Sequence, residues 1–125
     1  MVRNEYKKDI VDEVNEFFIL MKNKCEEFGI CENQLCFDVG IGFGKSHEHN
    51  LKLIGDVSKI KIENCALLMA LSSKRVVKLS TDAEKEDLVY GTIAGNVLAI
   101  SGGADIIRVH NVRENVLSVK MTDAV

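Results

Sequence analysis

The chain has 125 residues, of which 46% are hydrophobic and 28% are charged, and its formal net charge is −3. This length suits one compact domain over residues 1–125, and the apolar content excludes a simple disordered chain. The acidic balance gives no electrostatic case for a nucleic-acid partner, and no apolar run reaches the roughly 18 residues of a membrane-spanning helix.

The start of the chain and its cysteines predict a cytoplasmic location. Arg3 and Glu5 stand where a signal peptide would need an apolar core. None of the four cysteines forms a Cys-x-x-Cys pair, and Cys36 and Cys65 lie inside apolar, strand-like runs. We therefore interpret the cysteines as reduced thiols, buried at these two positions, and not as metal ligands.

Apolar spacing divides the chain into alternating helices and strands. Residues that recur at intervals of three and four predict helices over residues 6–28, 48–60, 82–101 and 112–121. Short apolar runs predict strands over residues 34–38, 65–71 and 105–109. The second strand is apolar throughout, which is expected when both faces of a sheet are covered. Because the strands alternate with helices, we expect a parallel sheet with right-handed crossovers.

A carboxylate, Asp38, ends the first predicted strand and is followed by a glycine-rich loop that runs to Lys45. The carboxyl ends of parallel strands are where α/β proteins carry their chemistry. Asp38 could accept two parallel N–H bonds from an amino-pyrimidinone edge, or it could cap the next turn, and the residues alone leave both open. The glycine spacing fits neither a phosphate loop nor a dinucleotide fingerprint. It predicts close approach of the backbone to a flat ligand, with Phe43 as an apolar wall.

An arginine and a histidine lie at the end of the third predicted strand. Arg108 and His110 alternate with apolar neighbours, and this period of two puts both side chains on one face. A guanidinium beside an imidazole makes an anion site. The alternative is an ion pair with a neighbour such as Glu114.

Five segments together resemble the dihydropteroate synthase family, the pterin-condensing enzymes of folate synthesis. The segments are 38–45, Glu48-His49-Asn50, Leu71-Ser72-Ser73-Lys74, Gly91-Thr92-Ile93-Ala94 and 103–112, and they occur in the family's order at about its spacing. The resemblance covers almost the whole chain but matches about the C-terminal half of the family's (β/α)8 TIM barrel. It therefore implies an α/β fold with three parallel strands and flanking helices.

The resemblance also implies a role for each strand end. Asp38 and Lys74 would bind the pterin, and Arg108 would pack on the pterin plane. Arg108 and His110 would carry the catalysis by holding the leaving diphosphate. The resemblance places the p-aminobenzoate pocket at Phe43, Ser72 and Arg75.

Four positions depart from the family pattern. Val39 replaces a usual proline after the aspartate, and Ala70 replaces a glycine close to the pterin. Ser73 stands where the family has arginine, and Arg75 stands where it has a serine that helps to bind the p-aminobenzoate carboxylate. Arg75 could pair with that carboxylate as a bidentate donor, or its bulk could block the pocket.

The implied reaction joins 6-hydroxymethyl-7,8-dihydropterin diphosphate to p-aminobenzoate. Catalysis would come from orientation and from stabilising charge on the departing diphosphate, with Mg²⁺ as a Lewis acid. In the family, the protein ligand of that metal lies in the N-terminal half. We therefore expect this chain to be inactive alone, and to self-associate or to need a complementing N-terminal half.

Two alternatives to a synthase remain at this stage. One is a non-catalytic remnant or pterin-binding module, which the missing half favours. The other is a related pterin-dependent methyltransferase. The Ser-x-Lys element at Ser72 and Lys74 and the Arg-x-His pair favour a synthase over a methyltransferase.

Overall fold

The structure is a computed structural model that describes residues 6–60 and 62–125. The helices within these ranges are α1 (Ile10–Glu27), α2 (His47–Gly55), α3 (Arg75–Thr81), α4 (Leu88–Ser101) and α5 (Val112–Ala124). The strands are β1 (Cys36–Asp38), β2 (Ala66–Met69) and β3 (Ile106–Ile107), and short 3-10 turns cover Glu32–Gln34, Val57–Lys59 and Lys85–Asp87. The interpretation of the charged start of the chain rests on residues 1–5, which lie outside the described residues.

The three strands form one parallel sheet in the order β1-β2-β3. Asp38 is in register with Leu68, and Leu68 with Ile106. Because residues in register point to the same side of a parallel sheet, these three side chains share one face. The expected parallel α/β sheet with flanking helices is confirmed.

The hydrophobic core lies between the other face of the sheet and the helices. Phe37, Leu67 and Met69 alternate with the residues of the first face and are buried. The ring of Phe18, on α1, stacks on Phe37 with 4.7 Å between the ring centroids. Asp9 caps α1 by accepting a hydrogen bond from the amide of Val11, which fixes where this helix begins.

The structure corrects the predicted helices in three places. A helix that the sequence did not predict, α3, begins after the loop of residues 70–74 that follows β2, so Arg75 is a helical residue and not part of that loop. The helix expected over residues 82–101 begins at Leu88, after a 3-10 turn. The helix expected over residues 48–60 is α2 followed by a separate 3-10 turn.

The prediction that both faces of β2 are covered is wrong. Ala66 and Leu68 are only half-buried, because the helices cover the face that carries Leu67 and Met69. The predicted burial of Cys36 is wrong for the same reason, since it lies on the open face and is exposed, while Cys65 is half-buried. No described helix is long and apolar enough to cross a membrane.

Candidate functional site

The carboxyl ends of the three strands gather the charged residues that the sequence singled out. Asp38 is the last residue of β1, Lys74 follows β2, and Arg108 follows β3. Because the strands are parallel and adjacent, these residues lie at the same edge of the sheet. The expected convergence is therefore confirmed, while the role of each residue is a separate question.

Asp38 uses one carboxylate oxygen locally. Its Oδ1 accepts a hydrogen bond of 2.8 Å from the amide of Gly40, which has a left-handed φ of 81°. This is the turn-capping arrangement that the sequence left open. Among the described residues Oδ2 has no hydrogen-bond partner, and the Asp38 side chain is exposed. The carboxylate can therefore hold the turn and still accept a bond from a ligand.

Lys45 holds the loop that follows Asp38. Its ammonium group donates to the carbonyl oxygens of Gly40, at 2.9 Å, and Phe43, at 3.1 Å. Burial lowers the pKa of Lys45; the nearby Asp38 carboxylate opposes this shift, and the Lys74 ammonium adds to it. Lys45 ends the glycine-rich run of the sequence, and its position there does not predict this bracing of the loop.

Lys74 ties the second strand end to the same loop. Its Nζ donates to the carbonyl oxygen of Ile41 at 2.8 Å and lies 5.0 Å from the centroid of the Phe43 ring. Burial lowers the pKa of Lys74, Asp38 acts in the opposite direction, and Arg108 lowers it further. The charges of Asp38 and Arg108 therefore both act on the Lys74 ammonium group.

His110 is held by Ser72, which is buried at 5% exposure. The His110 backbone N–H donates to Ser72 Oγ at 3.1 Å, and the same Oγ lies 2.7 Å from His110 Nδ1. The Ser72 hydroxyl keeps its own proton while it accepts from the backbone, and this proton can be donated to Nδ1. In the tautomer that accepts this bond the ring proton lies on Nε2, and Nε2–H can donate to an anion.

Arg108 is exposed and makes no ion pair with Glu114 or with any other carboxylate in the described part of the chain. The alternative of a structural ion pair is therefore not realised. A cavity of about 230 Å³ is lined by Ala70, Ser72, Lys74, Arg108, Val109 and His110. The cationic residues of the second and third strand ends share this cavity.

Asp38 and Phe43 line a second cavity, of about 260 Å³, together with Lys45 and apolar residues of α1. The contact between Lys74 and Phe43 connects the linings of the two cavities. Arg75 is exposed at the start of α3 and lines neither of them. In residues 6–60 and 62–125, no three His, Cys, Asp or Glu side chains are grouped as metal ligands would be.

Comparison with known proteins gives a consistent picture. The family described as "Pterin binding enzyme" matches residues 1–110. The chain is 34% identical over 116 residues to a dihydropteroate synthase of Escherichia coli, covering 93% of this chain and 41% of that protein. It is also 34% identical over 125 residues to one from Clostridium beijerinckii, covering 97% of this chain and 45% of that protein.

Solved structures agree with this picture. A dihydropteroate synthase from Clostridium difficile, crystallised in the presence of pteroic acid, superposes with a TM-score of 0.94 at 33% identity and covers 99% of this chain and 47% of its own. One from Xanthomonas albilineans, in complex with 7,8-dihydropteroate, gives a TM-score of 0.91 at 31% identity. The match covers 99% of this chain and 48% of that one. The chain thus spans less than half the length of these relatives, and the matched part is the C-terminal part of their TIM barrels.

Proposed function

The chain belongs to the pterin binding enzyme family, and from this premise we propose that it supplies one side of a dihydropteroate synthase site. The reaction condenses 6-hydroxymethyl-7,8-dihydropterin diphosphate with p-aminobenzoate and yields 7,8-dihydropteroate and diphosphate. The observation that carries the proposal is the convergence of Asp38, Lys74 and Arg108 at one sheet edge, in a chain 34% identical to a dihydropteroate synthase.

Asp38 would recognise the pterin as a hydrogen-bond acceptor, and Lys74 would recognise it as a hydrogen-bond donor. Asp38 Oδ2, which has no partner among the described residues, can accept from the amino group of the pterin, while Lys74 can donate to its carbonyl oxygen. Lys74 Nζ now donates to the carbonyl oxygen of Ile41. An ammonium group carries three donors, so it can keep this bond while it reaches a ligand.

Arg108 and His110 would hold the leaving diphosphate. The amine nitrogen of p-aminobenzoate forms a bond to the exocyclic carbon, the carbon–oxygen bond to diphosphate breaks with its electron pair on the departing oxygen, and the amine loses a proton to water. No side chain needs to become covalently attached. The guanidinium of Arg108 and Nε2–H of His110 would stabilise the negative charge that grows on the departing oxygen. Support comes from their shared cavity and from the unpaired state of Arg108 within the described residues.

Phe43, Ser72 and Arg75 would form the p-aminobenzoate pocket. Phe43 is exposed at 64% on the loop above the sheet edge and offers an apolar surface to an aromatic ring. The Ser72 hydroxyl is hydrogen-bonded to His110, so Ser72 would affect p-aminobenzoate binding through the position of His110. Arg75 stands outside the two cavities and could reach the carboxylate of p-aminobenzoate only from the rim.

Mg²⁺ is proposed as a cofactor from the family resemblance alone. The described residues offer no group of three His, Cys, Asp or Glu side chains, so they do not fit a resident metal site. We therefore assign no step to the metal.

The four free cysteines support placing the protein in the reducing cytoplasm.

A partner is part of the proposal, because the chain spans 41% of its Escherichia coli relative and its sheet has an open face. The partner would be a complementing N-terminal half or a second copy of this chain. The second candidate function is a non-catalytic module that binds a pterin through Asp38 and Lys74. Binding without product formation would select this candidate over the synthase.

The test is calorimetric titration of the chain with pteroic acid, comparing Asp38→Asn with the unchanged protein. Loss of the charged hydrogen bond should weaken binding by about 1.5–3 kcal/mol, or about ten- to a hundredfold. Asp12→Asn is the control, since it makes the same charge change at an exposed position of α1. Equal affinity for Asp38→Asn and the unchanged chain would remove Asp38 from the proposal.

A further inference from the structure

Helix α4 carries a short internal repeat that the proposed chemistry does not use. Gly91-Thr92 is followed four residues later by Gly95-Asn96. Thr92 and Asn96 are both buried at 1% exposure, although the helix is otherwise largely apolar. A spacing of four puts them one turn apart on the same face of the helix. Buried polar side chains need hydrogen-bond partners. The partner of Thr92 lies in the loop after β2, and the partner of Asn96 lies on α5.

The glycines let α4 come close to those strand ends. A Cβ atom at Gly91 would lie 2.7 Å from Val77 Cγ1, on α3. A Cβ atom at Gly95 would lie 3.0 Å from the side chain of Leu71, just beyond β2. Both distances are shorter than ordinary van der Waals contact, so larger residues would push the helix away from the loop after β2.

Thr92 contacts the loop that carries Lys74. Its Oγ1 accepts a hydrogen bond of 3.0 Å from the amide of Ser73. Ser73 has a φ of 53°, a left-handed conformation that residues other than glycine adopt only when their surroundings hold them there. Lys74 is the next residue, so the hydrogen bond that the Ser73 amide donates to Thr92 fixes the backbone from which the Lys74 ammonium group extends.

Asn96 contacts the loop that carries His110 through one intermediate. Its Nδ2 donates to Asn115 Oδ1 at 2.9 Å, and Asn115 Nδ2 donates to the carbonyl oxygen of Asn111 at 2.8 Å. Asn111 directly follows His110. The two loops are also joined to each other, because Ser72 contacts both the backbone and the ring of His110.

We propose that Thr92 and Asn96 are positioning residues that set the relative placement of Lys74 and His110. The proposal rests on the proposed function for the chemistry of those two side chains, but the geometry stands without it. Asn96 Oδ1 is buried with no hydrogen-bond partner among the described residues. A buried acceptor without a partner destabilises a fold, and an aliphatic residue would fill the space without this cost. The presence of an amide at position 96 is therefore explained by the hydrogen bond through which its Nδ2 holds Asn115 in place.

The experiment compares Thr92→Val, which keeps the shape but removes the acceptor, with Thr92→Ser, which keeps the hydroxyl. Nuclear magnetic resonance of the labelled chain reports amide exchange at Ser73 and the tautomer of the His110 ring. Thr92→Val should lose about tenfold or more of the exchange protection at Ser73 and about tenfold of the affinity for pteroic acid. Thr92→Ser should retain both properties.

Asn96→Leu is the second variant. It should move the ring resonances of His110 and the amide of Asn111 while leaving the Ser73 amide protected. A purely structural role would lower the melting temperature of both variants without this separation of effects. Unchanged Ser73 and His110 resonances in folded Thr92→Val and Asn96→Leu would overturn the proposal.

Two further outcomes are kept distinct. If the unchanged chain does not bind pteroic acid, the proposed function fails, while the resonances of Ser73 and His110 still decide the positioning role. If Thr92→Val does not fold, amide exchange in the unchanged chain decides it. Ser73 must then be protected from exchange, and exchange at the rate of a free amide would contradict the bond to Thr92.

Discussion

The contact between Ser72 Oγ and His110 Nδ1 links the tautomer of the imidazole to the Ser72 hydroxyl. Ser72→Ala removes the only hydrogen-bond partner that Nδ1 and the His110 backbone N–H have among the described residues. We expect the free energy of unfolding to fall by about 1 kcal/mol, because His110 is exposed and water replaces part of what is lost. The ring should also shift toward a mixture of tautomers, measured by nitrogen-15 resonances of the imidazole.

Ser58→Ala is the matched control for this prediction, since Ser58 is exposed in a 3-10 turn. It should leave both the stability and the His110 ring resonances unchanged. Ring resonances of Ser72→Ala that match those of the unchanged chain would show that Ser72 does not set the tautomer.

The lowered pKa of Lys45 predicts that the stability of the fold depends on pH in the alkaline range. Burial lowers the pKa of Lys45 from its usual 10.5, so just below pH 10.5 the unfolded chain binds more protons than the folded one. The free energy of unfolding contributed by Lys45 therefore rises with pH in that window. Lys45→Met should lose this rise. Denaturant titrations from about pH 8 upward measure it as a growing stability difference in favour of the unchanged chain.

Lys8→Met provides the contrasting control for the alkaline titration. A hydrogen bond to Glu16 raises the pKa of Lys8 above 10.5, so its contribution is complete below pH 10.5 and is lost only above that value. The stability difference between Lys8→Met and the unchanged chain should stay flat where that of Lys45→Met grows. Parallel curves for the two variants would contradict a lowered Lys45 pKa.

At the residue scale, the sequence was informative where chemistry follows a strand. Asp38, Arg108 and His110 could be placed at one edge because each follows an apolar run, and the parallel order then brings them together. The hydrogen bond between Ser72 and His110 could not be predicted, since the two residues are 38 positions apart and belong to different loops. The same holds for the bond between Thr92 and the Ser73 amide.

The glycine-rich loop between β1 and α2 depends on backbone conformations that other residues avoid. Gly42 has a φ of 85°, and a Cβ atom there would make only an ordinary contact, at 3.6 Å, with Lys74. Gly42→Ala should therefore destabilise the fold by about 1–2 kcal/mol through backbone strain. Thermal unfolding measures the loss, and the affinity for pteroic acid should fall with it because Ile41 O holds Lys74.

Gly55→Ala is the control for strain in this loop. Gly55 ends α2 without a left-handed φ, and no atom lies within 4 Å of where its Cβ would be. This substitution should be neutral or stabilising by about 0.5–1 kcal/mol. If Gly42→Ala is equally well tolerated, the loop does not need the observed conformation.

At the element scale, α3 shows why local pattern was insufficient. It has seven residues, a length at which an isolated helix is marginal, and it contains the β-branched pair Val76-Val77. Both valines are buried in the core, and Gly91 gives α4 room to pack against this helix. The helix is therefore stabilised by tertiary contacts that no window of sequence reveals. The longer helices α1 and α4 were predicted because their apolar spacing is sustained.

For the whole molecule, the important feature is the open face of the sheet. Asp38, Leu68 and Ile106 share this face, and Ile106 is 43% exposed. The apolar composition of the strands suggested a covered face, because sequence reports the hydrophobicity of a strand and not what packs against it. Exposed apolar surface of this kind is typical of interaction sites.

The open face predicts self-association of this chain. Sedimentation should show dimers or larger species, and Ile106→Lys should shift them toward monomer by placing a charge on the open face. Leu117→Lys is the control, because Leu117 is 58% exposed on α5, away from the strands. If Leu117→Lys disperses the assembly and Ile106→Lys does not, the helices and not the sheet mediate association.

We expect this chain to associate without becoming catalytically active. A pair of these chains would carry Asp38 and Arg108 twice, yet each copy spans only 41% of the length of the Escherichia coli relative. Product formation from the pterin diphosphate and p-aminobenzoate should therefore stay at background in an assembled sample. Adding the N-terminal half of that relative should restore turnover if its strands can pair with the open sheet. A monomer of this chain that turns over at about 1 per second or faster would contradict both the need for a partner and the proposed division of the site.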